Sequence, residues 1–213
     1  MLTVEKIGGT SMSQFKDVLN NIIIGNRSGA DLYNRIFVVS AYNNVTNWLL
    51  EHKKTGAPGI YVKFLNDENY AEALDELCLK LIALNRNYEE IKLDQKVADE
   101  FIINRIEKAK NYLRAMHSVV ASGYVDRNDL YLAAREILSS IGEAHSAFNS
   151  VNIIKNNGID ATFIDLCGFD DSEALTIDER IHKAFQGVDF SKTLCVATGY
   201  TKGIEGIMRA FDR

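Results

Sequence analysis

The sequence predicts an α/β protein with a mostly parallel sheet sandwiched by helices and a helical insertion in the middle of the chain. Apolar runs at 36–40 and 194–198 are continuous, as is typical of strands buried on both faces of a parallel sheet. A strand, a helix and a second strand follow one another within the first 40 residues, which implies a right-handed crossover. Between 60 and 125 the apolar residues recur at helical spacing only, so we expect no strand there.

The elements before this middle segment follow from local patterns. The first strand is predicted at 3–7 and is followed by a helix at 13–24, whose apolar face is Phe15, Val18, Leu19 and Ile22. Ser11 and Gln14 have the spacing of a capping box at the start of that helix. Gly25 should end it, and a helix at 46–53 with a loop at 54–59 should follow the second strand.

The middle and the end of the chain continue this pattern. Helices are predicted at 71–85 and 93–120, the second being one long helix or a broken pair. Asn128 can cap a further helix, which Gly142 should interrupt or bend before it ends at Asn156. A strand at 161–166, a helix to Phe185 and the strand at 194–198 complete the sheet. Thr176 and Glu179 form a capping box for that last helix.

Length and composition limit the possible classes of protein. The 213 residues are 46% hydrophobic and 25% charged, which suits one substantial globular domain. The net charge of −5 argues against a nucleic-acid partner, because no basic surplus exists to meet phosphates. Three cysteines without metal spacing do not suggest a disulfide framework. We therefore expect a cytoplasmic protein that needs no metal site of its own and has no membrane partner.

The stretch from Lys6 to Ser11 is the strongest candidate for chemistry. A strand here leads into a Gly-Gly turn and a helix, so backbone N–H groups of Gly8 and Gly9 can approach an anion. Lys6 can add an ammonium, and Thr10 and Ser11 can add hydroxyl donors. On spacing alone, a tight turn with a solvated lysine is the commoner explanation.

Five blocks, in order, resemble the aspartate kinases of the amino-acid kinase superfamily. Residues 6–11 resemble the family's Lys-Phe-Gly-Gly-Thr-Ser opening, 38–47 its Val-Val-Ser-Ala…Val-Thr-Asn segment, and 142–147 its Gly-Glu…Ser-Ala segment. Asp165 and the segment 197–200 follow at the expected places. The amino-acid sequences of the third and fifth blocks, 142–147 and 197–200, most resemble those of the aspartate kinases of ectoine-synthesis gene clusters.

This resemblance implies a function. Aspartate kinases transfer the γ-phosphoryl group of MgATP to the β-carboxylate of L-aspartate, which gives 4-phospho-L-aspartate. Lys6 is then the expected catalytic residue, and together with Gly8, Gly9, Thr10 and Ser11 it is expected to bind the ATP phosphates. The family's pattern also implies four residues that bind substrate: Ser40, Thr46, Glu143 and Arg213. Lys6, Ser40, Thr46 and Glu143 should therefore line one cleft at the carboxyl ends of the strands.

The resemblance also implies how the chain is organised. Residues 1–213 match the N-terminal part of an amino-acid kinase domain, with the helical insertion at 60–125. The rest of the kinase domain and the regulatory ACT domains of the family are absent from this sequence. We therefore expect the chain to be inactive by itself and the full-length protein to be a homo-oligomer in lysine, threonine, methionine or ectoine biosynthesis.

The chain departs from the family's pattern at several positions. Ile7 replaces the usual Phe, Asn44 stands where a Gly is common, and Tyr42 is bulkier than usual. The last two changes are expected to narrow the aspartate pocket. His145 follows Glu143 closely, but the family gives no role to a histidine there, so we interpret it as structural or exposed.

Two other functions fit the sequence. One is another enzyme of the same superfamily, acting on acetylglutamate, glutamate or carbamate; the Val-Thr-Asn and Gly-Glu…Ser-Ala blocks favour aspartate over these. The other is a non-catalytic domain used for assembly or regulation.

Overall fold

A computed structural model of the protein describes residues 1–204 and 206–209, with backbone only for 207–209. Its centre is a four-stranded sheet, all parallel, with the spatial order β1-β2-β4-β3. The strands of this sheet are β1 (Thr3–Ile7), β2 (Arg35–Val39), β3 (Ala161–Ile164) and β4 (Leu194–Thr198). A separate antiparallel hairpin follows, made of β5 (Tyr200–Gly203) and β6 (Gly206–Arg209).

The helices fall into three groups along the chain. Between β1 and β2 lie α1 (Gly9–Met12), α2 (Phe15–Asp17), a π-helix (Val18–Ile24) and a 3₁₀ turn (Gly29–Leu32). Between β2 and β3 lie α3 (Val45–Leu49), α4 (Ile60–Leu65), α5 (Tyr70–Asn85), a 3₁₀ segment (Arg86–Ile91), α6 (Gln95–Ser122) and α7 (Arg127–Asn156). Between β3 and β4 lies α8 (Ile177–Ala184). The expected α/β class and the absence of a strand between 60 and 125 are confirmed.

The two faces of the sheet are covered unequally. Phe37, Val39 and Val196 point into the main core, which contains the apolar residues of α5, α6 and α7. Ile36, Cys195 and Ala197 point to the other face and pack with the residues of α8 and the loop that follows it. Because successive strand residues point to opposite faces and both faces are covered, residues 36–39 of β2 and 194–197 of β4 are all apolar.

The helix predicted at 13–24 differs from expectation. Gln14, with φ −112° and ψ 42°, separates α1 from α2, and no Ser11 side-chain cap is present; Gly8 is the N-cap residue of α1. From Val18 the hydrogen bonds follow the wider π-helical pattern, so each residue turns through a smaller angle. Ile23 therefore replaces Ile22 in the core, and Ile22 is 41% exposed. Gly25 ends the segment as predicted.

The long helix α7 runs through Gly142 without interruption, so the expected break at this residue is absent. A Cβ atom at Gly142 would lie 2.7 Å from the Cβ of Ala41 and 2.9 Å from Cγ1 of Val45. The glycine therefore serves close packing of α7 against the segment after β2. The cap of α7 is Asp126, whose carboxylate accepts a hydrogen bond from the backbone of Asn128, the residue expected to be the cap.

Ion pairs tie the buried arginines to the fold. Arg105 on α6 lies 2.5 Å from a carboxylate oxygen of Asp165, just after β3, and its guanidinium stacks on Phe169. Asp165 also accepts a hydrogen bond from the backbone N–H of Cys167. Asp165, which is the fourth of the five blocks that resemble the family, thus holds α6 against the end of β3. In the described part of the chain, no helix combines the length and apolar character needed to cross a lipid bilayer.

Candidate functional site

A cavity of about 390 Å³ lies at the carboxyl ends of β1 and β2, where α3 and α7 close it. We call it the rim cleft. Five of the sequence-predicted site residues line it: Gly9, Thr10, Ser40, Thr46 and Glu143. Ligands of open α/β sheets bind at this edge, so the position agrees with the expected site.

The other predicted residues lie elsewhere. Lys6, Gly8 and Ser11 are on or beside the turn after β1 but do not line the rim cleft. Ile7 points into the main core, so Lys6, its neighbour in the strand, projects from the opposite face of the sheet. Arg213 lies outside the described residues.

The glycine turn is held tightly against the end of β2. A Cβ atom at Gly9 would lie 2.7 Å from the carbonyl oxygen of Ala41, so this approach requires glycine. The backbone N–H of Ser40 donates to the carbonyl of Ile7 (3.0 Å), and the backbone N–H of Asn43 donates to the Ser13 hydroxyl (2.8 Å). These contacts fix the turn and the Ser40 segment as one wall of the cleft.

Glu143 on α7 places a buried carboxyl group in the lining of the cleft. The residue is only 3% exposed, and its Oε2 accepts a hydrogen bond from the backbone N–H of Tyr200 at 2.5 Å. One turn further along α7, the Ser146 hydroxyl donates to the carbonyl of Ser40 at 2.8 Å. The α7 wall is therefore attached both to the end of β2 and to the β5 hairpin.

Two of the three departures from the family's pattern, Tyr42 and Asn44, have clear structural reasons. Tyr42 lines the cleft, and its buried ring stacks on Tyr88 and meets the edge of His145. Burial raises the pKa of Tyr42 well above its ordinary value, so the phenol stays neutral. Asn44 has φ +67°, a left-handed conformation that glycine adopts most easily and asparagine tolerates. Asparagine therefore preserves the backbone shape of the wall.

His145 belongs to a buried polar cluster behind the cleft. Its Nε2 lies 2.8 Å from Oδ1 of Asn85, which also accepts a hydrogen bond from Asn149. Burial lowers the pKa of His145 to about 3, although the nearby Asp99 charge acts in the opposite direction. The imidazole is therefore neutral and structural, one of the two roles expected from the sequence.

Sequence reasoning missed several polar residues that line the rim cleft. Arg135 on α7 and Lys53 after α3 bring positive charge, and Asn43 and Asn47 bring amides. Arg135 precedes Glu143 by eight residues, but the interruption or bend expected at Gly142 separated the two in the predicted helices. A continuous helix would have indicated that both lie along one element.

No metal site was found in the described ranges. Among residues 1–204 and 206–209, no three His, Cys, Asp or Glu side chains are grouped so that they could hold a metal ion.

Comparison with known proteins agrees with this geometry. No protein-family model matches the chain. The chain is 46% identical over 216 aligned residues to the aspartate kinase Ask_Ect of Stutzerimonas stutzeri (strain A1501). Along its whole length the chain is related to part of an aspartate kinase. The alignment covers all of this chain and 45% of Ask_Ect, so the chain spans less than half the length of that aspartate kinase.

Solved structures of an aspartokinase share the fold. Escherichia coli aspartokinase III in complex with lysine and aspartate (T-state) superimposes with a TM-score of 0.59 at 18% identity. The same enzyme in complex with aspartate and ADP (R-state) gives a TM-score of 0.56 at 19% identity. Each match covers 98% of this chain and 43% of the aspartokinase chain. The resemblance to the aspartate kinases is therefore confirmed in sequence and in fold.

Proposed function

We propose that this chain carries the aspartate site and the phosphate-contacting turn of an aspartate kinase, which uses MgATP to convert L-aspartate into 4-phospho-L-aspartate. The observation that carries the proposal is the rim cleft, which Ser40, Thr46 and Glu143 line together with Gly9. The 46% identity to Ask_Ect and the aspartate and ADP bound by aspartokinase III support the choice of substrates.

The rim cleft has the polar groups that an amino acid requires. The buried carboxylate of Glu143 can pair with the substrate ammonium. The Ser40 and Thr46 hydroxyls can donate to a carboxylate, and Ser40 lies beside the Gly9 turn. The β-carboxylate of bound aspartate would therefore face the turn from which the phosphoryl group arrives.

The turn after β1 can accommodate nucleotide phosphates. Nothing lies within 4 Å of the position of a Cβ atom at Gly8, so the space beside it is open. Phosphoryl transfer depends on positioning and on charge near the equatorial oxygens, and the exposed Lys6 is the candidate for that charge. Bound MgATP would supply the phosphoryl group and its own divalent cation.

The remaining parts of the proposal concern the whole protein. We infer that it is a cytoplasmic homo-oligomer, without a nucleic-acid partner, in ectoine or in lysine, threonine or methionine biosynthesis. The name of the relative Ask_Ect supports the ectoine branch. Arg213 is proposed to bind a substrate carboxylate, as the family's motif implies.

The test replaces the region of Ask_Ect that aligns with this chain by the chain itself. The hybrid should form aspartyl phosphate, trapped as the hydroxamate, whereas the 213-residue chain by itself should show negligible turnover. In the hybrid, Lys6→Ala should lower kcat by roughly 100-fold or more with little change in KM for aspartate, because the lysine acts on charge in the transition state. Glu143→Gln should mainly raise that KM, by roughly 10- to 100-fold.

Matched variants and other substrates complete the test. Lys192→Ala changes an exposed lysine distant from the cleft, and Glu136→Gln changes a glutamate of α7 that does not line it; both should leave kinetics unchanged. Turnover with glutamate, acetylglutamate or carbamate in place of aspartate would contradict the substrate assignment. A folded hybrid that phosphorylates none of them would favour a non-catalytic role.

A further inference from the structure

Tyr88 connects the helical insertion with the turn after β1. It lies in the 3₁₀ segment Arg86–Ile91, belongs to none of the five blocks that resemble the family, and is only 5% exposed. Its hydroxyl donates a hydrogen bond to the backbone carbonyl of Met12 at 3.3 Å. Met12 is the buried last residue of α1, the short helix that begins at Gly9. A residue of the insertion is therefore bonded to the helix that follows the glycine turn.

The ring of Tyr88 contacts a second part of the site. It stacks on the ring of Tyr42, with 5.2 Å between the ring centroids and 24° between the ring planes. Tyr42 is buried, lines the rim cleft and follows Ser40 by two residues. Burial raises the pKa of Tyr88, so its hydroxyl stays protonated and remains a donor at neutral pH. One side chain thus touches both the helix of the glycine turn and the segment that carries Ser40.

The backbone on both sides of Tyr88 is fixed to α7. Before it in the chain, Oδ1 of Asn85 lies 2.8 Å from Nε2 of His145. After it, the carbonyl oxygen of Lys92 accepts a hydrogen bond from the side-chain amide of Asn156 at 2.8 Å. Because α7 also supplies the buried carboxyl group of the rim cleft, Tyr88 is held in a fixed position relative to that group.

We propose that Tyr88 is a positioning residue, which holds the glycine turn and the Ser40 segment at the separation that phosphoryl transfer between them requires. Its hydroxyl acts on the turn through α1, and its ring acts on the cleft through Tyr42. Displacing reacting groups by about 1 Å can lower a rate by roughly 100-fold, so a contact outside the cleft can affect the reaction. This inference rests on the proposed function, because it takes the turn as the phosphate end and the rim cleft as the aspartate end.

The experiment uses the hybrid in which this chain replaces the aligned region of Ask_Ect. Tyr88→Phe removes the hydroxyl and keeps the ring. Its kcat for aspartyl phosphate formation should fall by about fivefold, the effect of one lost hydrogen bond, while KM for aspartate changes by less than about twofold. Tyr88→Leu also removes the stacked ring and should in addition raise that KM by roughly 2- to 10-fold.

Tyr112→Phe is the matched control. The Tyr112 hydroxyl donates to the backbone carbonyl of Phe169 at 2.9 Å, and Tyr112 does not line the rim cleft. This variant loses a comparable hydrogen bond, so its kcat and KM should stay within about twofold of those of the unaltered hybrid. An equal fall of kcat in Tyr112→Phe and Tyr88→Phe would overturn the inference, because it would show a general loss of stability instead of a positioning effect.

Hydrogen exchange of the hybrid tests the contact with the turn directly. The backbone N–H of Met12 donates to the carbonyl of Gly8 at 2.9 Å, so this amide exchanges only when α1 opens. In Tyr88→Phe it should exchange about fivefold faster, while the amides at 98–113 of α6 keep their rates.

The possible failures have different signatures. Unchanged exchange at Met12, or an unchanged kcat, in Tyr88→Phe of an active hybrid would overturn the role of Tyr88 and leave the proposed function intact. A folded, unaltered hybrid that forms no aspartyl phosphate would contradict both proposals.

Discussion

At the scale of single residues, His145 shows how burial removes reactivity from a side chain that is often catalytic. It lies two positions from Glu143 on α7, but it faces Asn85 and the ring of Tyr42 in the interior. Burial lowers the pKa of His145 to about 3, so the imidazole is neutral at ordinary pH. Its role is to fill and order the core behind the rim cleft.

The buried imidazole should make stability depend on pH. Below about pH 6.5 the unfolded chain takes up a proton on this histidine, whereas the folded chain does not until about pH 3. The free energy of unfolding should therefore fall as the pH falls through that window, by about 1.6 kcal/mol between pH 6.5 and pH 5 from this residue. Urea unfolding of the chain and of His145→Asn at both pH values measures the difference.

The exposed histidines provide the control. His117 lies on the surface near Asp67, so His117→Asn should keep the steep pH dependence of the unaltered chain. His145→Asn should flatten it, whatever its effect on stability at pH 6.5. An identical pH slope in the two variants would show that His145 can be protonated in the folded state.

At the scale of elements, α7 organises the site. Its middle section contacts β2, β3 and β4, and its residues Glu143 and Arg135 both reach the rim cleft. The helix can lie this close to the end of β2 because Gly142 has no side chain to separate them. The geometry of the cleft therefore depends on one glycine inside a helix, a position where glycine is otherwise unfavourable.

Gly142→Ala should consequently destabilise the protein although alanine is the better helix former. The gain in helix propensity is about 1 kcal/mol, whereas overpacking against Ala41 and Val45 costs about 1–3 kcal/mol and moves the helix. We expect a net loss of roughly 1 kcal/mol in thermal or urea unfolding and weaker L-aspartate binding. Adding Ala41→Gly should recover part of both losses.

Gly8→Ala is the matched substitution for the stability measurement. Gly8 has φ −78°, and a Cβ atom there would meet nothing within 4 Å. The free energy of unfolding of the Gly8→Ala variant should therefore differ from that of the unaltered chain by less than about 0.5 kcal/mol. Higher stability of Gly142→Ala with unchanged aspartate binding would mean that the close packing of α7 is not required.

At the scale of the whole molecule, α6 and α7 extend beyond the core. The last fully buried residue of α6 is Leu113, and the first of α7 is Ala134. The intervening helix ends carry exposed apolar side chains such as Val119 and Leu132. Few buried contacts hold these ends, so they should open more readily than the rest of the two helices.

Hydrogen exchange and matched truncations test this gradient. Backbone amides near 117–130 should exchange faster than those at 98–113 of α6, because local opening there exposes little buried surface. Leu113→Ala should lower the free energy of unfolding by about 2–5 kcal/mol, and Val119→Ala, on the same helix, by less than about 0.5 kcal/mol. Equal exchange rates for the amides at 117–130 and at 98–113 would indicate that the helix ends pack against another surface. A large loss of unfolding free energy in Val119→Ala would indicate the same.

The sequence by itself determined the order and type of the main elements. Uninterrupted apolar runs gave β2 and β4, because strands buried on both faces cannot alternate, and helical spacing gave α5 and α6. The resemblance carried by five short blocks indicated the family, and the sequence similarity to an aspartate kinase agrees with it. Local chemistry also fixed the Thr176 capping box, whose two hydrogen bonds are both present.

Only the tertiary structure decided how these elements meet. Gly142 suggested a helix break. Glycine is needed at this position because Ala41, 101 residues earlier in the chain, packs closely against it, and no local pattern reveals that contact. For the same reason Arg135 could be recognised as a cleft residue only once α7 was seen to run unbroken past the end of β2. Local propensity acts over a few residues, whereas a binding site is formed by side chains that are distant in sequence and brought together by packing.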